Sequence, residues 1–189
     1  MITETIKGIP LKLNTTPTLF SPTQVDRGTL AMLSIVDFTP DDKVLDLGCG
    51  YGVVGITAAK IIGAHNVVMS DINEEAVKIA RENAILNGVD DIQIILSDGF
   101  TNIPDKDFAI ILSNPPYHTD FSVPKHFIEK GFKSLRIGGK MVMVVKRREW
   151  YKNKLIAIFG GVRIEEIDEY FVMTAEKRNP HSAKSKRVK

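Results

Sequence analysis

A short segment after an apolar run carries the residues of this chain that are best suited to hold a substrate. The run at 108–113 (FAIILS) predicts a buried strand, and it leads directly into Asn114, Pro115, Pro116 and Tyr117. Two consecutive prolines remove two backbone N–H donors and stiffen the loop, whereas the carbonyl groups of Asn114 and Pro115 stay available as acceptors. A loop with acceptors and few donors favours a substrate that donates hydrogen bonds, such as an amino group.

A glycine-rich turn follows the first strong strand pattern, at residues 43–47. The glycines of the string DLGCGYG (46–52) let the backbone turn tightly and approach a ligand at the carboxyl end of the strand, where open α/β sheets bind their ligands. Position 53 is valine, so the spacing is GxGxG rather than the GxGxxG of dinucleotide-binding folds. Asp71 ends the second predicted strand, about where a carboxylate meets ribose hydroxyls in this topology. These features predict a nucleoside-like ligand.

The string DLGCGYG, followed by SDIN at residues 70–73, resembles the cofactor signature of class I S-adenosylmethionine-dependent methyltransferases. By that resemblance, Asp46 supports the methionine end of S-adenosylmethionine, the glycine loop lies under the cofactor, and Asp71 holds the ribose. The family uses the position after the third strand, here Ser97 and Asp98, to contact the adenine ring and its amino group. The cofactor-binding residues implied by the resemblance are Asp46, Gly48, Cys49, Gly50, Gly52, Asp71, Ile72, Asn73, Ser97, Asp98, Gly99 and Asn114.

A methyl donor beside segment 114–117 implies a specific chemistry for that segment. An amino group conjugated to an aromatic ring or a carbonyl is a poor nucleophile because its lone pair is delocalised. The side-chain oxygen of Asn114 and a loop carbonyl can each accept one N–H, which turns the lone pair towards the sulfonium methyl for in-line displacement. Tyr117 offers a ring on which a planar base can stack, a contact worth about 1–3 kcal/mol. A target base within a duplex must be flipped out.

The substrate stays open at this point, because the tetrapeptide resembles that of methyltransferases acting on adenine, on guanine or on the glutamine amide of release factors. With the following His118, the string resembles the Asn-Pro-Pro-Phe-His of ribosomal RNA guanine-N2 methyltransferases. Tyr117 replaces the phenylalanine, as is common in the adenine and glutamine branches. His118 either orients the guanine or accepts its proton through water, or it is a surface histidine without a chemical role.

A second match to the guanine branch lies upstream, at residues 19–29 (LFSPTQVDRGT). That branch has a similar Phe-Ser…Asp-x-Gly-[Ser/Thr] segment, which folds over the methionine end of the cofactor. The resemblance therefore implies supporting roles for Phe20, Asp26 and Gly28. The alternative for these three residues is a capped helix entrance.

The leading hypothesis is an enzyme that uses S-adenosylmethionine to methylate guanine N2 of ribosomal RNA. The RNA would be held by the basic C-terminal residues, by the KRR run at 146–148 with Trp150 and Tyr151, or by the partner in a homodimer. The KRR run is equally compatible with a solvated helix entrance. The alternatives are methylation of adenine N6 in RNA or DNA or of a protein glutamine amide, and a cofactor-binding interaction module without catalysis. The intact segment 114–117 argues against the module.

The pattern along the chain predicts an α/β, Rossmann-like methyltransferase fold, with a mostly parallel seven-stranded sheet, an antiparallel edge strand and helices on both faces. Apolar runs predict strands at 43–47, 66–71, 92–96, 108–113 and 140–145. Two alternating runs within 162–177 predict an antiparallel pair at the sheet edge. Amphipathic stretches predict helices at 29–38, 73–88, 123–136 and 150–159, with a turn at 137–139.

The 189 residues are predicted to form a single methyltransferase domain at 1–176, with an N-terminal extension of uncertain structure at 1–20 and a basic, disordered tail at 177–189. The tail contains no acid and six basic residues: Lys177, Arg178, Lys184, Lys186, Arg187 and Lys189. Removing these six charges from the net charge of +2 leaves the body near −4. The tail is therefore either an arm for polyanions or a solvated segment.

The composition of the chain indicates its cellular compartment and whether a metal site is expected. No apolar run approaches the roughly 20 residues that span a bilayer, and a single cysteine, Cys49, fits a reducing compartment. A cytoplasmic protein is therefore expected. The four histidines show no metal-ligand spacing with Cys49, so no metal site is expected. The oligomeric state stays open between a monomer and a homodimer.

Overall fold

The computed structural model describes residues 1–116 and 120–183 of the chain. Its strands are β1 (Ile2–Ile6), β2 (Ile9–Leu13), β3 (Val44–Leu47), β4 (Val67–Asp71), β5 (Gln93–Leu96), β6 (Phe108–Ser113), β7 (Leu135–Val145), β8 (Arg163–Ile167) and β9 (Tyr170–Glu176). Its helices are α1 (Arg27–Ile35), α2 (Val53–Ile62), α3 (Glu74–Leu86), α4 (Ser122–Ser134) and α5 (Arg148–Phe159). None of the described helices is long and apolar enough to cross a membrane.

Seven strands form one sheet in the order β5-β4-β3-β6-β7-β9-β8, and β1 pairs with β2 in a separate hairpin. The pairs from β5 to β7 are parallel, whereas β9 runs antiparallel to both β7 and β8. The prediction of a mostly parallel, Rossmann-like sheet with an antiparallel pair at its edge is confirmed. The antiparallel strand itself, β9, lies one position inside the edge, and β8 forms the edge.

Helices cover both faces of the sheet, which explains why its central strands are mostly apolar. Every residue of β3 and of β6 is buried. One layer contains α1, α2 and α3, with Met32 and Ile56 in its core, and the other contains α4 and α5, with Ile128 and Leu155 in its core. With both faces covered, ligands are expected where the loops leave the carboxyl ends of the strands.

The N-terminal residues form an ordered hairpin that packs on α2 and α3, although their strand signals in the sequence are weak. Leu11 and Leu13 are fully buried. The backbone N–H of Lys12 donates to Asn87 Oδ1 (3.1 Å), and Asn87 Nδ2 donates back to the Lys12 carbonyl (2.7 Å). Because the polar groups of the hairpin are paired with the end of α3, the hairpin is held as part of the same core.

The start of β7 differs from the sequence-based prediction of a turn at 137–139 before the strand. Instead, α4 ends at Ser134 and β7 begins with the next residue. The pairing of β6 with β7 shifts register between Phe108 and Ile110, so residues 137–139 form a bulge inside the strand. A Cβ on Gly139 would lie 2.7 Å from the carbonyl oxygen of Phe108, which explains the glycine at this point.

The first helix begins and ends earlier than the predicted 29–38. Asp26 caps its N-terminus, because its Oδ2 accepts the backbone N–H of Thr29 at 2.9 Å. Val36 is already extended, which ends the helix at Ile35.

Lys177, assigned to the tail from the sequence, belongs to the folded domain. The residue is 8% exposed, its Nζ donates to the Leu135 carbonyl at 2.7 Å, and burial lowers the pKa of its ammonium group. Its backbone also exchanges hydrogen bonds with Gly138 and Gly139, which anchors the bulge of β7. The last six residues of the predicted tail (177–189), at 184–189 and with four of its six basic residues, lie outside the described residues.

Candidate active site

A cavity of about 380 Å³ opens at the carboxyl ends of β3, β4, β5 and β6, a size typical of small-molecule and cofactor sites. Most of the residues selected from the sequence line it. They are Phe20, Asp26, Asp46, Gly48, Cys49, Gly50, Asp71, Ile72, Ser97, Asp98, Gly99, Asn114, Pro115 and Pro116. The fold thus brings four strand ends and an upstream segment to one site.

The glycine loop is held by hydrogen bonds that its backbone N–H groups donate to the end of β4. The N–H groups of Gly48 and Cys49 both donate to the Ser70 carbonyl, at 2.8 and 2.9 Å, and the N–H of Gly50 donates to Asp71 Oδ2 at 2.8 Å. Gly48 and Gly50 have φ angles of +77° and +54°, and a Cβ on either would meet nothing within 4 Å. The backbone conformation therefore requires these glycines, and the space above them is open to a ligand.

Three residues of the predicted site lie outside the cavity wall. Gly52 is the N-cap of α2, where a Cβ would press on Ile56. Asn73 caps α3, and its Oδ1 accepts the N–H of Glu75 at 2.9 Å. Gly28 lies under the ring of Tyr170, because a Cβ there would be 2.8 Å from two ring carbons. Their observed contacts position the elements around the cavity.

Asp46 places a buried carboxyl group in the cavity wall. Its Oδ2 accepts the N–H of Gly55 at 2.8 Å, and the residue is 2% exposed. Burial raises the pKa of this carboxyl from 3.8 to about 7. The hydrogen bond from Gly55 lowers the pKa, and the negative charge of Asp71 raises it further. A cationic ligand group beside Asp46 would favour its ionised form.

Asp71 presents a carboxylate that is fixed by two backbone donors. Gly50 donates to Oδ2 and the N–H of Asn73 donates to Oδ1, at 2.8 and 2.9 Å. An ionised carboxylate offers about four lone-pair sites, so each oxygen keeps capacity for a further donor. The two contacts fix the orientation of the carboxylate at the cavity wall.

The turn after β5 is closed by Ser97. Its Oγ donates to the Gly99 carbonyl (2.8 Å) and accepts the N–H of Asn102 (3.0 Å). Asp98 is exposed at the cavity edge, whereas Ser97 is buried. The side chain of Asp98 is thus the one that this turn offers to a polar ligand.

Several wall residues were not selected from the sequence: Thr29, Leu47, Tyr51, Val53, Val54, Ser70, Val123 and Phe127. Thr29 and Tyr51 lie inside the sequence strings that carry the family resemblance, so their position in those strings could have predicted that they line the cavity. Val123 and Phe127 come from α4, which has no cofactor motif. Only the packing of α4 on the sheet brings them to the site.

Asn114 is held by residues far away in the sequence. Its Nδ2 donates to Asp26 Oδ2 at 2.9 Å and to Thr29 Oγ1 at 3.0 Å. A carboxylate only accepts hydrogen bonds, so the nitrogen of the amide must face Asp26. The other end of the amide, Oδ1, is therefore the acceptor that Asn114 can present. Asp26 thus caps α1 and also orients the predicted catalytic amide.

Tyr51 ties the upstream segment to the glycine loop. Its hydroxyl lies 3.3 Å from the Ser21 carbonyl and 3.4 Å from the Gln24 carbonyl. Burial, together with the negative charge of Asp26, raises the pKa of Tyr51 to about 12. A hydroxyl that stays protonated remains a donor, so it holds the segment that carries Phe20 and Asp26. The predicted catalytic residues Tyr117 and His118 lie outside the described residues.

The fold and this cavity define a nucleoside-cofactor-binding α/β protein of the methyltransferase class. The family model of the methyltransferase small domain matches residues 10–175. The chain therefore belongs to the methyltransferase small domain family. Its identification from its motifs as a class I S-adenosylmethionine-dependent methyltransferase is confirmed.

Proteins similar to this chain include curated relatives and solved structures. "Uncharacterized protein YbxB" of Bacillus subtilis is 31% identical over 165 residues, which cover 84% of this chain and 82% of that protein. Ribosomal RNA small subunit methyltransferase C of Pseudomonas putida is 32% identical over 171 residues, which cover 88% of this chain and 51% of that protein.

A solved structure with high similarity is the "T. Thermophilus 16S rRNA N2 G1207 methyltransferase (RsmC) in complex with AdoMet and Guanosine". Its TM-score is 0.81 at 27% identity, and the match covers 93% of this chain and 50% of that one. The chain thus spans about half the length of the ribosomal RNA methyltransferases that it matches.

Proposed function

We propose that this protein transfers a methyl group from S-adenosylmethionine to the exocyclic N2 of a guanine in ribosomal RNA. The observation that carries the proposal is the Asn114 amide, held by Asp26 and Thr29 at the edge of the cavity. An amide held in this way can accept a hydrogen bond from a substrate amino group.

The residues present fit the cofactor. Asp46 supplies a buried carboxyl for the cationic amino group at the methionine end, and Asp71 supplies a fixed carboxylate for the ribose hydroxyls. Ile72 and Phe127 offer apolar surface for the adenine. The buried Ser70 Oγ, also in the wall, has no hydrogen-bond partner among the described residues. A polar ligand would remove the cost of that unpaired hydroxyl.

Catalysis consists of positioning the amine rather than of deprotonating it. Asn114 Oδ1 and the Pro115 carbonyl accept the two N–H groups, which turns the nitrogen lone pair towards the methyl group. When bound, S-adenosylmethionine would supply an electrophilic methyl group on a sulfonium, and transfer of that group to the nitrogen would leave S-adenosylhomocysteine and release one N–H proton. The stiff Pro115-Pro116 backbone keeps the acceptor carbonyl in place during the transfer.

Guanine in ribosomal RNA is the substrate favoured by the relatives. The Pseudomonas putida relative is named a small-subunit ribosomal RNA methyltransferase, and the Thermus structure contains guanosine. We extend that substrate to this chain because the family model spans residues 10–175, which include the cavity lining, Asn114 and Asp26. The proposal includes action in the cytoplasm on RNA or a ribosomal subunit, by a monomer or a homodimer.

The test is transfer of labelled methyl from S-adenosylmethionine to ribosomal RNA and to small subunits from a strain that lacks the gene. Nucleoside analysis should show label in N2-methylguanosine, and the Asn114→Ala variant should form it roughly 10²–10³-fold more slowly. Label in N6-methyladenosine or in a protein glutamine would show that adenine or glutamine, rather than guanine, is the substrate. Cofactor binding without any transfer would instead indicate an interaction module.

A further inference from the structure

The corner where α4 and α5 begin carries aromatic and cationic side chains beside the substrate end of the cavity. Ser113 at the end of β6 pairs with Met143 of β7. Segment 114–116 and segment 146–148 therefore leave neighbouring parallel strands at the same edge of the sheet. Val123, which lines the cavity, comes only two residues after Phe121 in the corner.

Phe121 and Trp150 form a stacked pair that fixes the corner. Their ring centroids are 4.2 Å apart, with 14° between the ring planes. The buried Tyr151 packs edge-on against both rings, at 6.3 Å from Phe121 and 5.0 Å from Trp150. The guanidinium of Arg147 lies over the Phe121 ring, 5.3 Å from its centroid. Arg147 is therefore an exposed residue whose guanidinium lies against this aromatic cluster.

The chemistry of a stacked guanidinium suits a phosphate group. Stacking uses the flat face of the group, and its N–H donors lie in the plane, where their fork matches two phosphate oxygens. Arg147 makes no ion pair with a carboxylate in the described part of the chain, whereas Arg148 pairs with Glu149 and Arg27 pairs with Asp168. The first turn of α5 starts directly after Arg147 without a side-chain cap, so its N–H groups add positive potential.

Lys146 extends the same cationic surface towards Asn114. Its Nζ lies 4.9 Å from the centroid of the Tyr170 ring, which covers Gly28 at the start of α1. Gly28 is two residues after Asp26, the residue that holds the Asn114 amide. Through Tyr170 and the start of α1, Lys146 is thus connected to the residue that holds the Asn114 amide.

We infer that Lys146 and Arg147 bind the phosphates of the RNA strand that flank the target nucleotide. The inference rests on the proposed RNA substrate and adds which residues hold it. A fully solvated helix entrance would leave the Arg147 side chain surrounded by water, whereas its guanidinium lies over the Phe121 ring.

The test measures binding of a fluorescent single-stranded guanosine-containing RNA over a series of salt concentrations. Each phosphate contact in a single strand contributes about −0.7 to the slope of log affinity against log salt. The double variant Lys146→Ala, Arg147→Ala should therefore lower the steepness of that slope by about 1.4. The variant Arg147→Lys should keep most of the salt dependence and bind less tightly, because lysine lacks the planar fork.

Arg163→Ala is the matched control, because Arg163 is an exposed arginine at the start of β8 with its own partner, Glu165. It should leave affinity and slope unchanged. An unchanged slope in the double variant, or an equal loss in Arg163→Ala, would overturn the inference. Cofactor affinity measured on each variant checks that the domain is folded.

The binding readout separates this inference from the proposed function. If the wild-type protein binds the RNA but transfers no methyl to it, the proposed function fails, while the loss of slope in the double variant still supports the phosphate contacts. If the wild-type protein binds no RNA, both are overturned.

Discussion

The two halves of the site are built in different ways. On the cofactor side, backbone N–H groups of the glycine loop bond to Ser70 and to Asp71 in the next strand, so neighbouring strands define the geometry. On the proposed substrate side, the Asn114 amide donates hydrogen bonds to side chains 85 and 88 residues away. A site made by backbone turns leaves a compact motif in the sequence, whereas a site made by distant side chains does not.

The comparison predicts that the substrate side controls turnover. Asn114→Ala removes the side-chain acceptor for the amino group and should lower kcat by roughly 10²–10³-fold, as the loss of a group that stabilises a transition state does in other enzymes. The dissociation constant for S-adenosylmethionine should stay nearly unchanged. Single-turnover methyl transfer and calorimetric cofactor binding would measure the two effects, and an unchanged turnover would defeat the amine-orienting role.

The cofactor side should show the opposite split. Asp71→Ala removes the acceptor of the Gly50 and Asn73 N–H groups and, as proposed, of the ribose hydroxyls. Loss of hydrogen bonds to a charged group costs about 1.5–3 kcal/mol, so cofactor affinity should fall by roughly 10–100-fold. Turnover at saturating cofactor should change much less. A normal cofactor affinity in this variant would contradict the assignment of Asp71.

Asp46 should make cofactor binding depend on pH. Its carboxyl has a pKa of about 7 without the cofactor, so below that pH a proton must leave before the cationic amino group can pair with it. The dissociation constant should rise by up to about tenfold for each unit below pH 7, and Asp46→Asn should remove this dependence.

The same raised pKa affects the stability of the protein without its cofactor. The unfolded carboxyl ionises near its ordinary value of 3.8, whereas the folded one keeps its proton up to about 7. The contribution of Asp46 to stability is therefore lost as the pH rises through that window. Denaturant unfolding of wild type and Asp46→Asn at several pH values would measure it; a difference that does not change with pH would contradict the raised pKa.

Asp26 joins the two halves, and its variants should have the smallest effect. Asp26→Ser keeps an N-cap for α1 but is too short to reach Asn114, so kcat should fall by several-fold to about tenfold with little change in thermal stability. Asp26→Ala removes the cap as well and should cost about 1 kcal/mol of stability. Equal kcat in Asp26→Ser and wild type would show that Thr29 alone holds the amide.

The sequence was sufficient for the features that follow from local patterns. Apolar runs predicted the strands of the large sheet, and the glycine spacing with Asp46 and Asp71 predicted the cofactor side, because each depends on residues close together in the chain. The hairpin β1–β2 was not recognised, since its burial depends on contacts with α2 and α3. The glycines at 138 and 139 predict a turn rather than the bulge in β7, because glycines mark both structures.

By itself, the sequence determined the class of fold, the glycine loop and the segment 114–116 that we propose to be catalytic, because strand periodicity and glycine backbone conformation are local properties. Only the tertiary structure decided that Asp26 orients Asn114, that α4 supplies Val123 and Phe127 to the wall, and that Lys177 is buried. Those outcomes depend on which elements pack together. Hydrogen bonds and burial between distant segments form only when the sheet and its two helical layers assemble.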